Sequence, residues 1–527
     1  MRSKFVFFLL FLSIVAYSLK AQQFQADFSD KYGMIPGVKN AVPAKDGWLV
    51  IKQSYDRTKL YQDVSILKLL LVNSKMEKLK EVEIPTTNNK FIHIEGLFKA
   101  NGTIVLVYAH KLNRADKEYL IVAKKINETD LTTGPEINLG SYETKYGNNT
   151  PDFTFQYSID SSKYFLFTEP IQKAKDNKQF HFKVLNNDLS IVNQKTIELD
   201  AQSRFVKINS TSMDNHANVY VEYRVYEKDV ENDRFFDEDG KIPDYQSFII
   251  KYSKDGKQLE LTPNLDGNFL HTARLMADKN GQLHIAGTYK PERKGRLKGV
   301  FYSSYDPASN KTTAVKMNEI PADILSLLDN DGFAKKDGKK VGISANFNPK
   351  SFLERGNGTF DFTLEYNSIE EGTSQGSRGS IIIDYTFISG AILNVNIAKN
   401  GNMQFVRIPK KQKSEGGWAN LSNYSFSAGN KLIFLYNDNN DNAERDISKK
   451  PESVENFRKS ALMAAVIDEK GNVNRQIVYE HSDDKFVSHV NSIKRASANS
   501  FFIVKRKTGS VLNIENSKFG ILTISKL

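Results

Sequence analysis

A tight polar turn followed at once by a short apolar strand occurs eight times along this chain of 527 residues. Asn101-Gly102, for example, precedes the strand Ile104-Val105-Leu106-Val107. Asn-Gly and Asp-Gly turns between such strands favour β-hairpins, because both turn residues tolerate a positive φ. The repeat therefore predicts an all-β chain built from hairpins. Its eight turns are Asp46-Gly47, Asn101-Gly102, Ser161-Ser162, Asp214-Asn215, Asn280-Gly281, Asn357-Gly358, Gly429-Asn430 and Ala498-Asn499.

Each repeat continues beyond its first hairpin. A polar loop leads to another strand, such as 248–252, then to a second tight turn and an alternating strand, such as 258–261. Each unit is therefore a four-stranded antiparallel meander whose second strand must be covered on both faces. Four-stranded sheets that cover one another around an axis are the blades of a β-propeller. We predict eight blades, with seven as the alternative because residues 345–410 are hard to divide into strands.

The two ends of the chain predict how the ring closes. Residues 519–524 read as the third strand of the last unit, and no fourth strand follows them. Residues 24–28 alternate polar and apolar side chains ahead of the first unit and belong to none. A ring closed by this N-terminal strand would leave no sheet edge unpaired.

Residues 1–21 are predicted to be a signal peptide. Arg2 and Lys4 precede an apolar run at 5–16 that is too short to span a bilayer, and Ala21 offers a cleavage site. Residues 22–527 are predicted to form one β-propeller domain, with an insertion near 321–344 that contains a helical pattern at 321–328. We therefore expect an exported protein that is periplasmic, or extracellular and associated with an outer membrane.

The composition limits the chemistry and indicates the charge of a partner. The chain contains no cysteine, which excludes disulfides, thiolate metal sites and cysteine nucleophiles. Removing the three leader cations lowers the formal charge from +11 to +8. A basic surface favours anionic partners such as polysaccharide, and it also suits peripheral contact with a membrane surface. The alternative is a lysine-rich protein whose lysines are simply solvated.

One face of the predicted ring carries the long loops. In a four-stranded meander, the first–second and third–fourth turns lie on one face, and the second–third loops and the connections between units lie on the other. Because loops on a rigid scaffold often carry function, this long-loop face is the candidate binding face. Neutral drift of tolerated insertions is the alternative. The long loops are 53–62, 110–117, 168–178, 224–246, 289–298, 365–379, 437–459 and 505–516.

Two basic clusters on the long-loop face supply the candidate binding residues. Such side chains can hold sulfate, carboxylate or phosphate groups, although plain solvation is the alternative. Acidic loops at 229–244 and 438–455 share this face, so it suits an envelope protein as well as an anionic polysaccharide. Nucleic acid is not expected, because aromatic and basic residues do not interleave. The candidates are Arg293, Lys294, Arg296 and Lys298 within 290–298, together with Lys505, Arg506 and Lys507.

Other motifs are too incomplete to predict chemistry. Residues 372–376 fit G-x-S-x-G, but they read as a flexible loop rather than a nucleophile elbow. The acidic turns 237–240, 329–332 and 437–442 lack the ligand series of a calcium loop. The histidines show no zinc-binding spacing, and His284 is predicted to be a core residue. We predict no catalytic residue, no metal site and no cofactor.

Residues 400–412 and 432–439 resemble a group of exported, uncharacterised Gram-negative bacterial β-propeller-like proteins with an I-P-K-x-Q … F-x-N-D-N signature. Ile408-Pro409-Lys410-Lys411-Gln412 and Asn437-Asp438-Asn439 carry the resemblance here. It covers a short part of the chain, and it implies no activity. No signature of a named enzyme family is found.

Binding is the function that the sequence favours. We expect an exported scaffold or accessory protein that engages an envelope protein or polysaccharide through the long-loop face. The alternative is a carbohydrate-active enzyme, a glycosidase or lyase, with acidic residues in the central funnel where first strands converge. Carboxyl groups about 5 Å or about 6.5–9.5 Å apart there would favour glycosidase chemistry. A purely structural envelope component is a third interpretation.

Overall fold

The computed structural model is almost entirely antiparallel β-structure, with one α-helix among the residues that it describes. The predicted signal peptide and the acidic turn at 237–240 lie outside those residues. Nowhere within them does a helix combine the length and apolar character needed to cross a membrane. The described residues are 23–29, 32–33, 40–55, 65–86, 92–111, 117–143, 153–229, 244–335, 341–375, 381–507 and 516–525.

Eight sheets of four or more strands are found in the described ranges, and we number them 1 to 8 along the chain. Two N-terminal strands, β1 (Gln23–Phe28) and β2 (Tyr32–Gly33), belong to sheet 8. Sheet 1 consists of β3 (Ala41–Ala44), β4 (Gly47–Tyr55), β5 (Ser65–Val72) and β6 (Lys78–Glu83), and sheet 2 of β7 (His93–Ala100), β8 (Thr103–His110), β9 (Glu118–Ile126) and β10 (Ile137–Glu143). Sheet 3 consists of β11 (Phe153–Tyr157), β12 (Lys163–Thr168), β13 (Asn177–Asn186) and β14 (Ile191–Gln202). Sheet 4 consists of β15 (Val206–Met213), β16 (Val219–Tyr226), β17 (Tyr245–Tyr252) and β18 (Gln258–Glu260).

The second half of the chain repeats the meander with additions. Helix α1 (Ala322–Asp331) and a two-stranded sheet, β24 (Ala334–Lys335) with β25 (Gly342–Ile343), lie between sheets 5 and 6. Sheet 5 consists of β19 (Phe269–Ala277), β20 (Leu283–Lys290), β21 (Gly299–Asp306), β22 (Lys311–Thr312) and β23 (Lys316–Glu319), and sheet 6 of β26 (Phe347–Glu354), β27 (Phe360–Gln375), β28 (Ile381–Ile397), β29 (Met403–Ile408) and β30 (Gln412–Ser414). Sheet 7 consists of β31 (Asn423–Ala428), β32 (Lys431–Asn439), β33 (Ser460–Ile467) and β34 (Val473–Glu480). Sheet 8 consists of β35 (Phe486–Ser488), β36 (Lys494–Arg495), β37 (Ser500–Lys507) and β38 (Asn516–Ser525), together with β1 and β2. Short 3-10 helices lie at Ser203–Phe205, Asn440–Asn442, Phe457–Lys459 and Val490–Ser492.

The predicted hairpins form where the sequence places their turns. Between β7 and β8, Asn101 has a φ of 48° and Gly102 a φ of 80°. Two successive positive φ values match the twist of the flanking strands, which explains why asparagine and glycine occupy this turn. The antiparallel register then runs from Ala100 opposite Thr103 to His93 opposite Ala109.

Each sheet packs on the next sheet along the chain, and sheet 8 packs on sheet 1. In β8, Ile104 belongs to the apolar cluster shared with sheet 1, whereas Val105 belongs to the cluster shared with sheet 3. Similar clusters join every later neighbouring pair up to sheets 7 and 8. A last cluster, containing Val50 of sheet 1 and Phe502 of sheet 8, completes the circle. The predicted β-propeller fold is confirmed, and its blade number stays a prediction.

The N-terminal strand closes the ring, as predicted. Strand β1 pairs with β38 so that Phe24 lies opposite Ile524 and Phe28 opposite Gly520. A Cβ atom at Gly520 would lie only 2.4 Å from the carbonyl oxygen of Asp27. Glycine at this position therefore permits the close approach of the closing strand.

The prediction of a long loop at 365–379 is wrong for residues 365–375, which form strand in sheet 6. Strands β27 and β28 extend as a two-stranded ribbon in which Thr373 lies opposite Ile383 and Gln375 opposite Ile381. Cross-strand pairs of β-branched side chains favour this extension, although glycine and serine at 372–376 had indicated a loop. The described part of the G-x-S-x-G segment is therefore strand rather than flexible loop.

The predicted helix near 321–328 is confirmed. Helix α1 ends at Gly332, which has a φ of 90°, because a left-handed residue can terminate a helix without a Cβ clash. Asp331, in its last turn, forms a buried ion pair with Arg407 of β29. The acidic turn predicted at 329–332 is thus the end of a helix that docks on sheet 6.

Candidate functional site

A cavity of about 250 Å³ lies between sheets 4 and 5, at the ends of strands that border the predicted long loops. The start of β17, the connection between β18 and β19, and the end of β20 enclose it. Two of these segments border second–third loops and the third joins two sheets, so the cavity lies on the long-loop face. Its lining residues are Asp244, Tyr245, Gln246, Ser247, Thr262, Pro263, Leu265, Asn268, Phe269, Leu270, Lys290, Arg293 and Lys294.

Tyr245 forms the wall on the side of sheet 4. Its ring lies opposite Tyr226 in the register of β16 and β17, with the ring centres 5.2 Å apart. The guanidinium carbon of Arg224, which is only 7% exposed, lies 4.6 Å from the centre of the Tyr245 ring. Tyr245 also donates a hydrogen bond of 3.1 Å to the carbonyl oxygen of His271. These contacts come from inside the protein and hold the ring in place.

Phe269 and Lys290 form the wall on the side of sheet 5. They lie directly opposite each other in the register of β19 and β20, which places the aromatic ring beside the lysine stem. Lys290 lines the cavity but is only 3% exposed. A cation so removed from bulk water is screened less by salt than a surface lysine, so it attracts an anion in the cavity more strongly.

His271, which lies behind the cavity, adds no positive charge to it. Burial, followed by the positive charges of Lys290 and Arg224, lowers the pKa of His271 well below its usual value. The imidazole is therefore neutral at physiological pH.

Ser247 supplies an unused hydroxyl inside the cavity. It lies opposite Arg224 in the register of β16 and β17. Its Oγ is buried and has no hydrogen-bond partner among the described residues. Because buried hydroxyl groups usually find a partner, Ser247 Oγ is available to a ligand that enters the cavity.

Arg293 and Lys294, two of the predicted binding residues, lie at the mouth of the cavity. The Arg293 Nη1 atom is 3.2 Å from Glu227 and 3.4 Å from Asp244. Its guanidinium also lies 5.4 Å from the centre of the Phe269 ring. Arg293 is therefore already paired with two carboxylates, whereas Lys294 is exposed.

Arg296 and Lys298, the other predicted residues of this cluster, do not line the cavity. Arg296 is half-buried, and its Cβ lies beside Gly342 of β25. The Lys298 ammonium is 2.8 Å from Glu319 of β23. The structure therefore divides the basic cluster at 290–298 between a cavity and the body of sheet 5.

The second predicted cluster lies in sheet 8, with sheets 6 and 7 between it and the cavity. Lys505 is buried, and its ammonium is 2.7 Å from Asp484. The ammonium also lies 3.8 Å from the centre of the Phe28 ring in the closing strand and 4.9 Å from that of Tyr479. We call Lys505, Asp484, Phe28 and Tyr479 the closing corner. The neighbouring Arg506 and Lys507 are exposed.

The residues of the signature at 408–412 and 437–439 form a buried network rather than an open site. Lys410 Nζ donates to Gln412 Oε1 at 2.9 Å, and Gln412 Nε2 donates to the carbonyl oxygen of Asn437. Asn437 Nδ2 in turn donates to the carbonyl oxygen of Ser488 at 2.9 Å. These bonds connect sheets 6, 7 and 8, so the resemblance marks a structural element of the ring. Burial raises the pKa of Asp438, at its edge, to about 7.

Two buried carboxylates, Glu365 and Glu222, lie on the second strands of their sheets, next to the first strands. Glu365 of β27 accepts hydrogen bonds from Ser422 at 2.6 Å and Asn423 at 2.7 Å, and it pairs with Lys410 at 3.0 Å. Burial alone would raise its pKa, but Lys410 and its other partners lower the pKa to about 2. Glu365 is therefore ionised and fully engaged, which suits a structural role.

Glu222 of β16 has fewer hydrogen-bond partners, and its Oε1 lies 3.7 Å from the Nε atom of Arg224 in a buried ion pair. Its Oε1 accepts a hydrogen bond of 3.1 Å from Asn209 of the inner strand β15. Its Oε2 has no hydrogen-bond partner in the part of the chain that the structure describes, and burial raises the pKa of this carboxyl.

Within the described ranges, no group of three or more histidine, cysteine, aspartate or glutamate side chains could hold a metal ion. His284 is buried, and its Nδ1 lies 2.8 Å from the hydroxyl of Tyr302. It is a core residue, as predicted.

Sequence reasoning found the basic mouth of the cavity but missed its walls. Tyr245 and Phe269 read as ordinary strand residues, and Ser247 carries no motif. One signal was present, because both aromatic residues stand at the ends of strands that border long loops. Sequence alone does not show that these two strand ends face the same space.

No protein-family model and no curated protein matches the sequence. Among solved structures, the chain is similar to the polysaccharide lyase Uly1, with 9% identity and a TM-score of 0.40 over 94% of this chain and 99% of that chain. It is similar to the β-propeller domain of the Trilobed protease from Pyrococcus furiosus, with 10% identity and a TM-score of 0.34 over 86% and 99%. It is also similar to the xylan β-1,4-xylosidase from Bacillus halodurans C-125, with 10% identity and a TM-score of 0.23 over 95% of this chain and 100% of that chain.

Similarities at these scores give no information on activity or substrate. The fold is established by the circle of face-packed, four-stranded sheets itself. On that basis, the chain is an all-β protein of the β-propeller fold.

Proposed function

We propose that this protein is an exported binding protein that takes a unit of an acidic polysaccharide into the cavity between sheets 4 and 5. The observation that carries the proposal is the burial of Lys290 within a cavity that has aromatic walls. Its positive charge is little screened by bulk water and attracts an anionic group that enters the cavity. The rings of Tyr245 and Phe269 offer flat apolar surfaces on which the C–H face of a sugar can pack.

The shape of the site supports a small part of a long ligand. A volume of about 250 Å³ is below the roughly 300–1,000 Å³ of pockets for drug-sized molecules. One or two sugar rings fit this space, while the rest of a polymer would lie across the long-loop face. The net positive charge of the chain favours an acidic polymer over a neutral one.

The test compares binding of soluble polyuronate and an uncharged glucan by the full-length protein and a Lys290→Met variant. We expect the wild type to prefer the polyuronate, and the variant to bind it at least about tenfold more weakly, since a charge-assisted hydrogen bond contributes about 1.5–3 kcal/mol. Methionine keeps the apolar stem that packs beside Phe269, so the fold should persist.

The matched control is Lys254→Met, an exposed lysine in the third–fourth turn of sheet 4 on the opposite face. Its affinity for polyuronate should match that of the wild type. Equal binding of charged and uncharged polymers, or binding only to envelope proteins, would overturn the proposal.

Export is part of the proposal and rests on residues 1–21. A basic start, a short apolar run and Ala21 match a cleavable signal peptide. The mature protein recovered from the cell envelope should begin at Gln22 or close to it, which N-terminal sequencing checks. Recovery of the uncleaved chain from the cytoplasm would contradict export.

A carbohydrate-active enzyme is the second candidate, and Glu222 is the observation that favours it. A buried carboxyl with a raised pKa and a free oxygen next to the inner strands can act as a general acid. If so, Glu222→Gln should abolish release of oligosaccharides from an acidic polysaccharide while leaving its binding intact. No release of oligosaccharides by the wild-type protein would exclude this candidate.

A further inference from the structure

We infer that the ribbon of β27 and β28 is a docking edge for a protein partner, which adds an extended segment of alternating apolar and basic side chains to β28. The described ribbon comprises residues 367–375 and 381–389, and we call residues 381–386 of β28 the docking edge. The ribbon belongs to sheet 6 and takes no part in the cavity between sheets 4 and 5.

The outer end of the ribbon has open strand edges. Strand β30 pairs with β28 only from Phe387 to Ser389, and β26 pairs with β27 only as far as Tyr366. Beyond these points, each ribbon strand pairs only with the other among the described residues. Residues 370–375 and 383–385 are exposed. An open edge presents N–H and C=O groups that can accept a further strand through backbone hydrogen bonds.

Apolar side chains lie along the docking edge. Ile383 is 51% exposed and Tyr385 is 42% exposed. Because side chains two residues apart lie on the same face of a strand, these two form one apolar stripe. Their neighbours across the ribbon are Thr373 and Glu371, which are polar. The exposed residues 370–375 of β27 include no apolar side chain, so β28 is the edge on which an added strand would cover apolar surface.

The ribbon lacks the features that usually protect a strand edge. Lysine, proline and β-bulges commonly prevent such edges from pairing with other chains. The described ribbon contains no lysine and no proline, and the register from Asn367 to Gln375 is continuous. A two-stranded hairpin by itself is also only marginally stable in water. An added strand would therefore stabilise the ribbon as well as cover it.

The charge of the ribbon selects a basic partner. Its described residues include the acids Glu370, Glu371 and Asp384 and no cation, although the whole chain has a net charge of +11. Lys411 is a charged neighbour of Glu370 alone among these acids. A second copy of the ribbon would bring the same acids and oppose like charges. Asp384 lies on the other face of β28 from Ile383, so a complementary strand alternates basic and apolar side chains.

The test measures the binding of three synthetic nonapeptides to the full-length protein by fluorescence anisotropy. The first alternates lysine and valine, and the second alternates glutamate and valine. The third repeats the first with three consecutive central backbone N–H groups methylated. The first peptide should bind at least about tenfold more tightly than the others, because the second is repelled by the ribbon and the third cannot pair with a strand edge. High salt should weaken this binding without abolishing it.

Two variants locate the binding on the docking edge. Ile383→Lys removes an apolar contact and adds a repelling cation, so it should weaken binding of the lysine–valine peptide at least about tenfold. Asp384→Asn should weaken it by about threefold. The matched control is Ile191→Lys, since Ile191 is 53% exposed on the outer strand β14 of sheet 3, and its affinity should equal that of the wild type. All three changes lie on exposed side chains, so urea denaturation should show little change in stability.

Three results would overturn the docking edge. Equal binding of the methylated and unmethylated peptides would mean that charge attraction alone explains the binding. Equal losses in Ile383→Lys and Ile191→Lys would place the peptide elsewhere. A wild-type dimer that Ile383→Lys dissociates, measured by sedimentation equilibrium, would show that a second copy covers this edge instead. None of these results bears on the binding of polyuronate in the cavity.

Discussion

The cavity and the closing corner use the same kind of residue in opposite ways. Both contain a buried lysine beside aromatic rings, and both belong to clusters that are basic in sequence. Lys505 has a carboxylate at 2.7 Å and a ring at 3.8 Å, and these contacts fasten the closing strand. Lys290 lines a cavity. Two clusters of similar basic composition thus have different surroundings, one beside a cavity and one inside the packed ring.

Position within a strand explains much of this difference. Phe501, Ile503 and Lys505 alternate along β37, and the two apolar residues pack in the cluster shared with sheet 7. Lys505 therefore points into the ring and must find a partner there. Lys290 is the last residue of β20, and it lines the cavity at that strand end.

The largest expected effect is on stability at the closing corner. Lys505→Met removes the cation that faces Asp484 and Phe28. Breaking a buried ion pair costs about 3–5 kcal/mol. Because Lys518 still lies 3.4 Å from Asp484, we expect the free energy of unfolding to fall by about 2–3 kcal/mol. Urea denaturation measures this change, and the affinity of the folded protein for polyuronate should not change.

Lys507→Met is the matched control, since Lys507 is an exposed residue of the same strand. It should change the free energy of unfolding by less than about 0.5 kcal/mol. Similar losses in both variants would contradict the role of Lys505 as a fastening.

The second largest effect is a loss of stability at acidic pH, caused by His481 next to Tyr479 of the closing corner. Burial lowers the pKa of His481 to about 4, against about 6.5 in an unfolded chain. Between these values the unfolded state binds more protons, so the stability present above pH 6.5 is lost as the pH falls toward 4. From pH 7 to pH 5, His481 alone should lower the free energy of unfolding by about 2 kcal/mol.

Comparison of His481→Gln with the wild type isolates this contribution. Urea denaturation at pH 7 and at pH 5 should show a smaller loss of stability in the variant. His216→Gln changes an exposed histidine and should keep the full pH dependence. A variant at His481 that loses as much stability as the wild type would rule out this histidine as the cause.

The smallest effect is expected at the mouth of the cavity. Arg293 is 48% exposed and paired with two acids, and exposed ion pairs contribute about 0–1 kcal/mol. Arg293→Gln should therefore weaken polyuronate binding by less than about fivefold, against at least tenfold for Lys290→Met. Calorimetry in low and high salt should show the Arg293 contribution vanishing while that of Lys290 persists. An Arg293 effect equal to that of Lys290 would mean that recognition occurs at the rim.

The sequence predicted the ring far better than the site. The alternation of side chains in β1 and the turn-and-strand repeat are local features of the sequence. They can be recognised from the two-residue period of polar and apolar side chains, so they predict strands directly. The pairing of Phe24 with Ile524 followed from an unpaired strand at each end. The same pattern also indicates the burial of Lys505, since it shares a face with Phe501 and Ile503.

Two features depend on tertiary context and could not be predicted in this way. The ribbon of β27 and β28 forms because residues around Thr373 and Ile383 stabilise each other across strands, which outweighs the local preference of glycine for a loop. The cavity depends on the distance between Tyr245 of one sheet and Phe269 of the next. No local pattern encodes the gap between two packed sheets.

The closure of sheet 8 has a consequence for the order of the chain. Gln23 lies directly opposite Ser525 in adjacent antiparallel strands, which is the geometry that a two-residue hairpin turn spans. The two strand ends could therefore be joined by a short Asn-Gly link and the backbone opened elsewhere, for example in the turn at Lys254-Asp255-Gly256. Such a circularly permuted chain would keep every sheet and both lysine environments, because the ring has no structural beginning.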